Sequence, residues 1–126
     1  MNDTDDLATR LEAIAAAVRG WRYTCVGEKA LQASLGEALS RAGIAWRREV
    51  PVASGTLDFL VDGGIAIEVK TGGSLAALTR QVHRYLGEES LRAVLVVSTR
   101  AILDRLPPEI GGKPVRVVVL TGSLLP

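Results

Sequence analysis

The stretch LDFLVDGGIAIEVK, residues 57–70, reads as two strands joined by a tight turn. Two apolar runs rich in Leu, Ile, Val and Phe flank Asp62-Gly63-Gly64, which is the pattern of a β-hairpin. A three-residue loop pairs Val61 with Ile65. Counting back, it sets Asp58 opposite Glu68 on the same face, with Cβ atoms about 5 Å apart. A two-residue loop would send the two acids to opposite faces. The three-residue hairpin needs a left-handed residue, which Gly63-Gly64 supplies, so the register that brings the carboxylates together is the expected one.

On either side of this hairpin, the spacing predicts helices over 5–19 and 27–42. The first has Leu7, Leu11, Ile14 and Val18 as its stripe, Thr4 or Asp3 as its cap, and Gly20 as its stop. The second presents Leu31, Leu35, Ala38, Leu39 and Ala42, and Gly43 ends it. Gly36 inside it costs about 1 kcal/mol against Ala and points to close packing. Strands are expected at 45–50, 56–61 and 65–70, a helix from Ser74 to Leu86, a strand at 92–98, a helical turn at 101–106 and a last strand at 115–120. The third and fourth strands bracket a helix and should run parallel. The expected architecture is an α/β mixed sheet, with an antiparallel meander and a parallel strand after a crossover helix, flanked by helices.

Several polar residues interrupt this pattern. In 65–70, Ile65, Ile67 and Val69 point to one face and Ala66, Glu68 and Lys70 to the other. Asp58 interrupts an apolar strand, where Asp is depleted. Two close carboxylates repel unless a cation sits between them, and hard cations such as Mg²⁺ take oxygen ligands. Lys70 would flank such a site. Glu28 points with Leu31 and Leu35 on the second helix, and the helix dipole alone is also a reason for it. Gln81 and Tyr85 lie four apart on one helix face, between the core stripe and a basic flank of Arg80 and Arg84. His83 is expected at the surface.

These residues together resemble the PD-(D/E)XK nuclease superfamily. The likeness covers residues 25 to 98: GEKALQASLGEAL for the first core helix with its acid Glu28, LDFLVDGGIAIEVK for the Asp and E-x-K strands, and RQVHRYL for a Q-x-x-x-Y motif. Leu57 stands where the signature has proline. The resemblance implies a restriction-endonuclease-like fold and a Mg²⁺-dependent deoxyribonuclease, with Mn²⁺ as a substitute. It implies Asp58, Glu68 and the Val69 carbonyl as metal ligands, Lys70 at the attacking water, and Glu28 through a water or a second metal. Gln81 and Tyr85 would support the site and contact the nucleic-acid backbone, with Arg80 and Arg84 also meeting the nucleic acid. A homodimeric Holliday-junction resolvase and a non-catalytic nucleic-acid-binding module are the alternatives.

Composition bounds these readings. At 126 residues, 48% hydrophobic and 23% charged, the chain is expected to be one globular nuclease domain. Within it, 1–20 would be an accessory helix, 25–98 the catalytic core and 99–126 a closing turn and strand. A net charge of +1 decides nothing about nucleic acid. One Cys, Cys25, excludes an internal disulfide, and with one His, His83, it excludes a Cys/His zinc site within the chain. No apolar run spans a bilayer, and the N-terminal MNDTDDLATR lacks a signal core, so a cytoplasmic protein is expected.

Overall fold

The computed structural model describes residues 3–23 and 27–120, with side chains from residue 6 onward. Cys25, at the start of the resembling segment, and the end of the C-terminal segment lie outside the described residues; α1 begins at Asp3, so Asp3 and Thr4 lie within the helix, where the sequence predicts one of them as its cap. The elements are α1 (Asp3–Arg19), α2 (Glu28–Arg41), β1 (Trp46–Val52), β2 (Gly55–Val61), β3 (Ile65–Lys70), α3 (Leu75–Leu86), β4 (Ala93–Ser98), a 3₁₀ turn (Ala101–Arg105), β5 (Glu109–Ile110) and β6 (Lys113–Val119). One mixed sheet has the order β1-β2-β3-β4-β6-β5.

β1, β2 and β3 form the expected antiparallel meander, and β3, β4 and β6 run parallel. The short β5 was not legible; it lies between Pro107-Pro108 and Gly111-Gly112 and pairs antiparallel with β6. β6 begins at Lys113, two residues before the apolar run, because pairing with β5 extends it.

The sheet is covered on both faces, which explains why β4 is buried along its whole length. Leu11, Ile14 and Val18 of α1, with Leu31, Leu35 and Leu39 of α2, cover one face against Phe59, Ile65, Ile67, Leu95 and Val97. Leu78, Val82, Tyr85 and Leu86 of α3 cover the other against Leu57, Ala66, Val94 and Val96. Gly36 has the role its position implied: a Cβ there would meet the Trp46 ring at 3.0 Å. Ser74 caps α3, its hydroxyl accepting from the Ala77 amide at 3.1 Å.

The β2–β3 hairpin is the three-residue form. Val61 pairs with Ile65, Leu60 with Ala66 and Phe59 with Ile67. Gly63 and Gly64 both have positive φ, 94° and 77°. Gly64 also carries β4: its carbonyl accepts from the Arg92 amide at 2.7 Å.

Candidate active site

The β2–β3 ladder stops at Phe59–Ile67. Beyond it β2 stays paired with β1 back to Gly55, and β3 stays paired with β4 on to Lys70. The two central strands therefore part, and Asp58 and Glu68 occupy the next rung, at the mouth of the gap. Their carboxylates take over the missing ladder. The Asp58 amide donates to Glu68 Oε2 at 2.8 Å, and the Val69 amide donates to Asp58 Oδ2 at 2.8 Å. A strand residue presents its N–H and C=O to the same side, so the Val69 carbonyl also faces the gap. The alternation that was expected to put Asp58, Glu68 and Lys70 on one face holds for β3 alone. Asp58 points along the sheet, toward the Val69 amide.

Glu68 is 1% exposed. Burial, and then the neighbouring Asp58 charge, push its carboxyl up to about 7, against the pull of the Asp58 amide, the Tyr85 hydroxyl and the Lys70 charge. Each acid keeps one oxygen free of these amide bonds. Two such oxygens and a carbonyl form a hard-donor set that suits a divalent cation of the magnesium type. Among the described residues, no group of three or more Asp, Glu, His or Cys comes together to hold a metal. Glu28 is the reason: it stands exposed at the first residue of α2 and does not join Asp58 and Glu68. Its expected place on the apolar face fails because α2 buries Leu31 and Leu35, one and two turns further in.

Tyr85 departs from expectation in its burial, not in supporting the site. Placed by spacing at the boundary facing phosphate, it is 2% exposed and belongs to the core. Its hydroxyl accepts from Gln81 Nε2 at 3.2 Å and donates to the Thr56 carbonyl at 3.0 Å. Burial, and then the Glu68 charge, raise its pKa. Tyr85 thus ties α3 to β2 two residues before Asp58 and is not free to reach a ligand directly.

Lys70 leaves the sheet at the end of β3. The fully buried Ser98 fixes its backbone, donating to the Lys70 carbonyl at 2.6 Å and accepting from the Arg100 amide at 2.9 Å. A cleft of about 280 Å³ opens beside it, lined by Lys70, the Gly72-Gly73 turn, Ser74, Gln81 and Arg84. Neither acid lines this cleft; Lys70 connects it to the pair through its charge near Glu68, and Gln81 connects it through the Tyr85 hydroxyl. Arg80 lies outside it, in a shallow depression with Thr79, His83 and Arg84. A larger groove of about 360 Å³ runs between α2 and β1, with Trp46 and Arg48 in its wall, but none of the acids of the gap lines it.

Two supports of the site, Glu88 and Ser98, are not among the residues expected from the sequence. The Glu88 carboxylate accepts from the Ala53 amide at 3.2 Å, from the Ser54 amide at 3.3 Å and from the Ser54 hydroxyl, clamping the β1–β2 turn to the end of α3. Ser98 could have been noticed as the polar residue closing an apolar strand. Among the described residues no helix is long and apolar enough to cross a membrane. No protein-family model, curated protein or solved structure matches the chain.

Proposed function

We propose that the chain is a metal-dependent nuclease of the PD-(D/E)XK type, hydrolysing phosphodiester bonds in DNA on a restriction-endonuclease-like sheet. The observation that carries this reading is the reciprocal pair of amide–carboxylate bonds between Asp58 and the Glu68-Val69 segment. A buried carboxylate with a second, half-buried one beside it and no compensating cation is costly to a fold. Such a pair at a strand divergence, flanked by a lysine two residues on, makes sense as a place where something positive binds.

Asp58, Glu68 and the Val69 carbonyl would hold Mg²⁺ or Mn²⁺. Bound there, the cation would neutralise charge on the scissile phosphate and lower the pKa of a coordinated water. The chain's own residues supply the rest. Lys70 carries an ammonium at the edge of the acid pair, suited to hold the attacking water or to face charge developing on the phosphate. Gln81 and Arg84 line the adjoining cleft and would hold phosphate oxygens on the flanking nucleotide, Arg84 with the stronger, charge-assisted bond. Tyr85 holds Thr56, and through it the strand that carries Asp58. We assign no role to Glu28.

Labelled linear duplex, single-stranded, flap and four-way-junction DNA, with an RNA control, test the proposal. Cleavage is expected with Mg²⁺ or Mn²⁺, and Ca²⁺ is expected to support binding with little cleavage. Loss of cleavage in Asp58→Asn, with the fold intact, is the expected control. Strong preference for the four-way junction would identify a resolvase. Full activity in excess chelator would sink the metal site, and DNA binding without any metal response would make the chain a binding module.

A further inference from the structure

The β1–β2 ribbon changes layer at one rung. Trp46 and Arg48 face α2: the Trp46 indole donates to Ser40 Oγ at 2.9 Å, and Arg48 donates to Gln32 Oε1 at 2.7 Å. Two residues beyond Arg48, Val50 packs with the α3 cluster, as does Val52. On β2, Phe59 belongs to the α1–α2 cluster and Leu57 to the α3 cluster. Residues two apart in a regular strand share a face, so both strands are turned over between these positions. Arg48 pairs with Phe59 and Val50 with Leu57, which sets Glu49 across from Asp58 at the turning point. Among the described residues Glu49 alone of the non-glycines has positive φ, 51°.

Both ends of the ribbon are anchored to different layers, which sustains this backbone. The near end is fixed on α2 by Trp46 and Arg48. The far end is fixed on α3 by the Tyr85–Thr56 bond and by Glu88 on Ala53 and Ser54. The Glu49 side chain is exposed, so its contribution lies in its backbone. Left-handed backbone at a non-glycine residue costs stability and persists where the surroundings over-determine it.

We propose that Glu49 is a positioning residue for this site: its left-handed backbone turns the ribbon over and delivers the Asp58 carboxylate into the β2–β3 gap, against the Val69 amide. A straight β1 would keep Leu57 and Phe59 on one face and send Asp58 to the other, instead of along the sheet. The metal-binding consequence rests on the nuclease reading; the placement of Asp58 does not.

The test compares Glu49→Gly, which accepts left-handed backbone freely, with Glu49→Val, whose β-branch resists it. Should Glu49→Val not fold, Glu49→Thr is β-branched and suits an exposed strand position. The first readout is hydrogen exchange of the Val69 amide relative to the Leu95 amide, in metal-free full-length chain. The β-branched variant should raise this ratio about tenfold, the weight of a disfavoured left-handed residue, and Glu49→Gly should stay within about twofold of wild type. The second readout is Mn²⁺ affinity, expected to weaken by a similar factor in the β-branched variant only. Val69 and Leu95 accelerating together would show a residue that merely supports the fold, and an unchanged ratio would equally overturn the proposal. If the wild-type chain binds no Mn²⁺, the nuclease reading fails, and the Val69-to-Leu95 ratio still decides the role of Glu49.

Discussion

Asp58 and Glu68 are held together through each other's strand: the Asp58 amide donates to the Glu68 carboxylate at 2.8 Å, while the Asp58 carboxylate accepts from Val69, the residue after Glu68, at 2.8 Å. Two acids are thereby kept side by side by hydrogen bonds that the sheet would otherwise make between backbone groups. The arrangement costs stability through repulsion and burial, and it leaves one oxygen of each acid outside the two amide bonds, beside the Val69 carbonyl. Sites that bind cations are commonly destabilised when empty in this way.

Replacing Glu68 by Gln should therefore stabilise the metal-free chain at neutral and alkaline pH. The Glu68 carboxyl stands at about 7 in the folded chain against an ordinary value of 4.5. The folded state then holds more protons than the unfolded state between these values. Stability from this group is full below the lower value and is lost as pH rises through the higher one. The loss is on the order of 3 kcal/mol, or roughly ten degrees in Tm. Thermal unfolding of the metal-free wild type should fall from pH 5 to pH 8, and Glu68→Gln should lack that fall and exceed wild type at pH 8. Parallel pH profiles for the two would mean that Glu68 is ionised without penalty.

The hairpin's glycines give a second outcome. At Gly64 a Cβ would meet the Ser90 carbonyl oxygen at 2.5 Å, on top of a φ of 77°. At Gly63 the nearest atom is the far end of the Arg10 side chain, at 3.5 Å. Both Ala substitutions suffer the left-handed penalty, about 1–2 kcal/mol. Gly64→Ala must also displace backbone that β4 depends on, so it should exceed Gly63→Ala by about 1–3 kcal/mol in chemical denaturation. Equal costs would show that the approach to Ser90 relaxes without effect.

The register of this hairpin was legible because its signals agree: apolar runs of the right length, two glycines where left-handed backbone is needed, and the alternation of Ile65, Ile67 and Val69 on one face. The main elements follow from similar local patterns. What escaped was non-local. Glu28 shares helical spacing with Leu31 and Leu35, yet a side chain in the first turn overhangs the helix end instead of the core. Tyr85 could not be assigned to core or boundary without knowing that β2 passes over α3. Nothing in residues 46–52 signals the left-handed backbone at Glu49, because it results from the opposed anchoring of the ribbon's two ends. Glu88 clamps a turn 34 residues away in sequence, and no spacing rule reaches that far.

Tyr85→Phe isolates the tie between α3 and β2. The ring stays in the core, but the Thr56 carbonyl and the Gln81 amide lose their partner. The expected cost is about 1–3 kcal/mol in denaturant unfolding. Mn²⁺ affinity should fall as well, because Asp58 lies two residues beyond the released Thr56. A variant that loses stability but binds Mn²⁺ as tightly as wild type would confine Tyr85 to support of the fold.

Lys70 and Arg84 border the same cleft but should fail in different ways. The role proposed for Lys70 belongs to the transition state, where charge develops beside the acid pair. Lys70→Ala should therefore lower kcat by about a hundredfold or more, with little change in metal or DNA affinity. Arg84 lies further along the cleft and is exposed, and its proposed role is a phosphate contact. Such contacts act through released counterions, so Arg84→Ala should weaken DNA binding and reduce the slope of log affinity against log salt by about 1. Its kcat at saturating DNA should stay near wild type. The two variants share a surface charge change of one, which removes net charge as the explanation for any difference between them. If Lys70→Ala cleaves at the wild-type rate, the Asp58–Glu68–Lys70 cluster is a structural ion-pair network. If both variants instead show the same salt-dependent loss and no change in kcat, the cleft binds nucleic acid without performing chemistry on it.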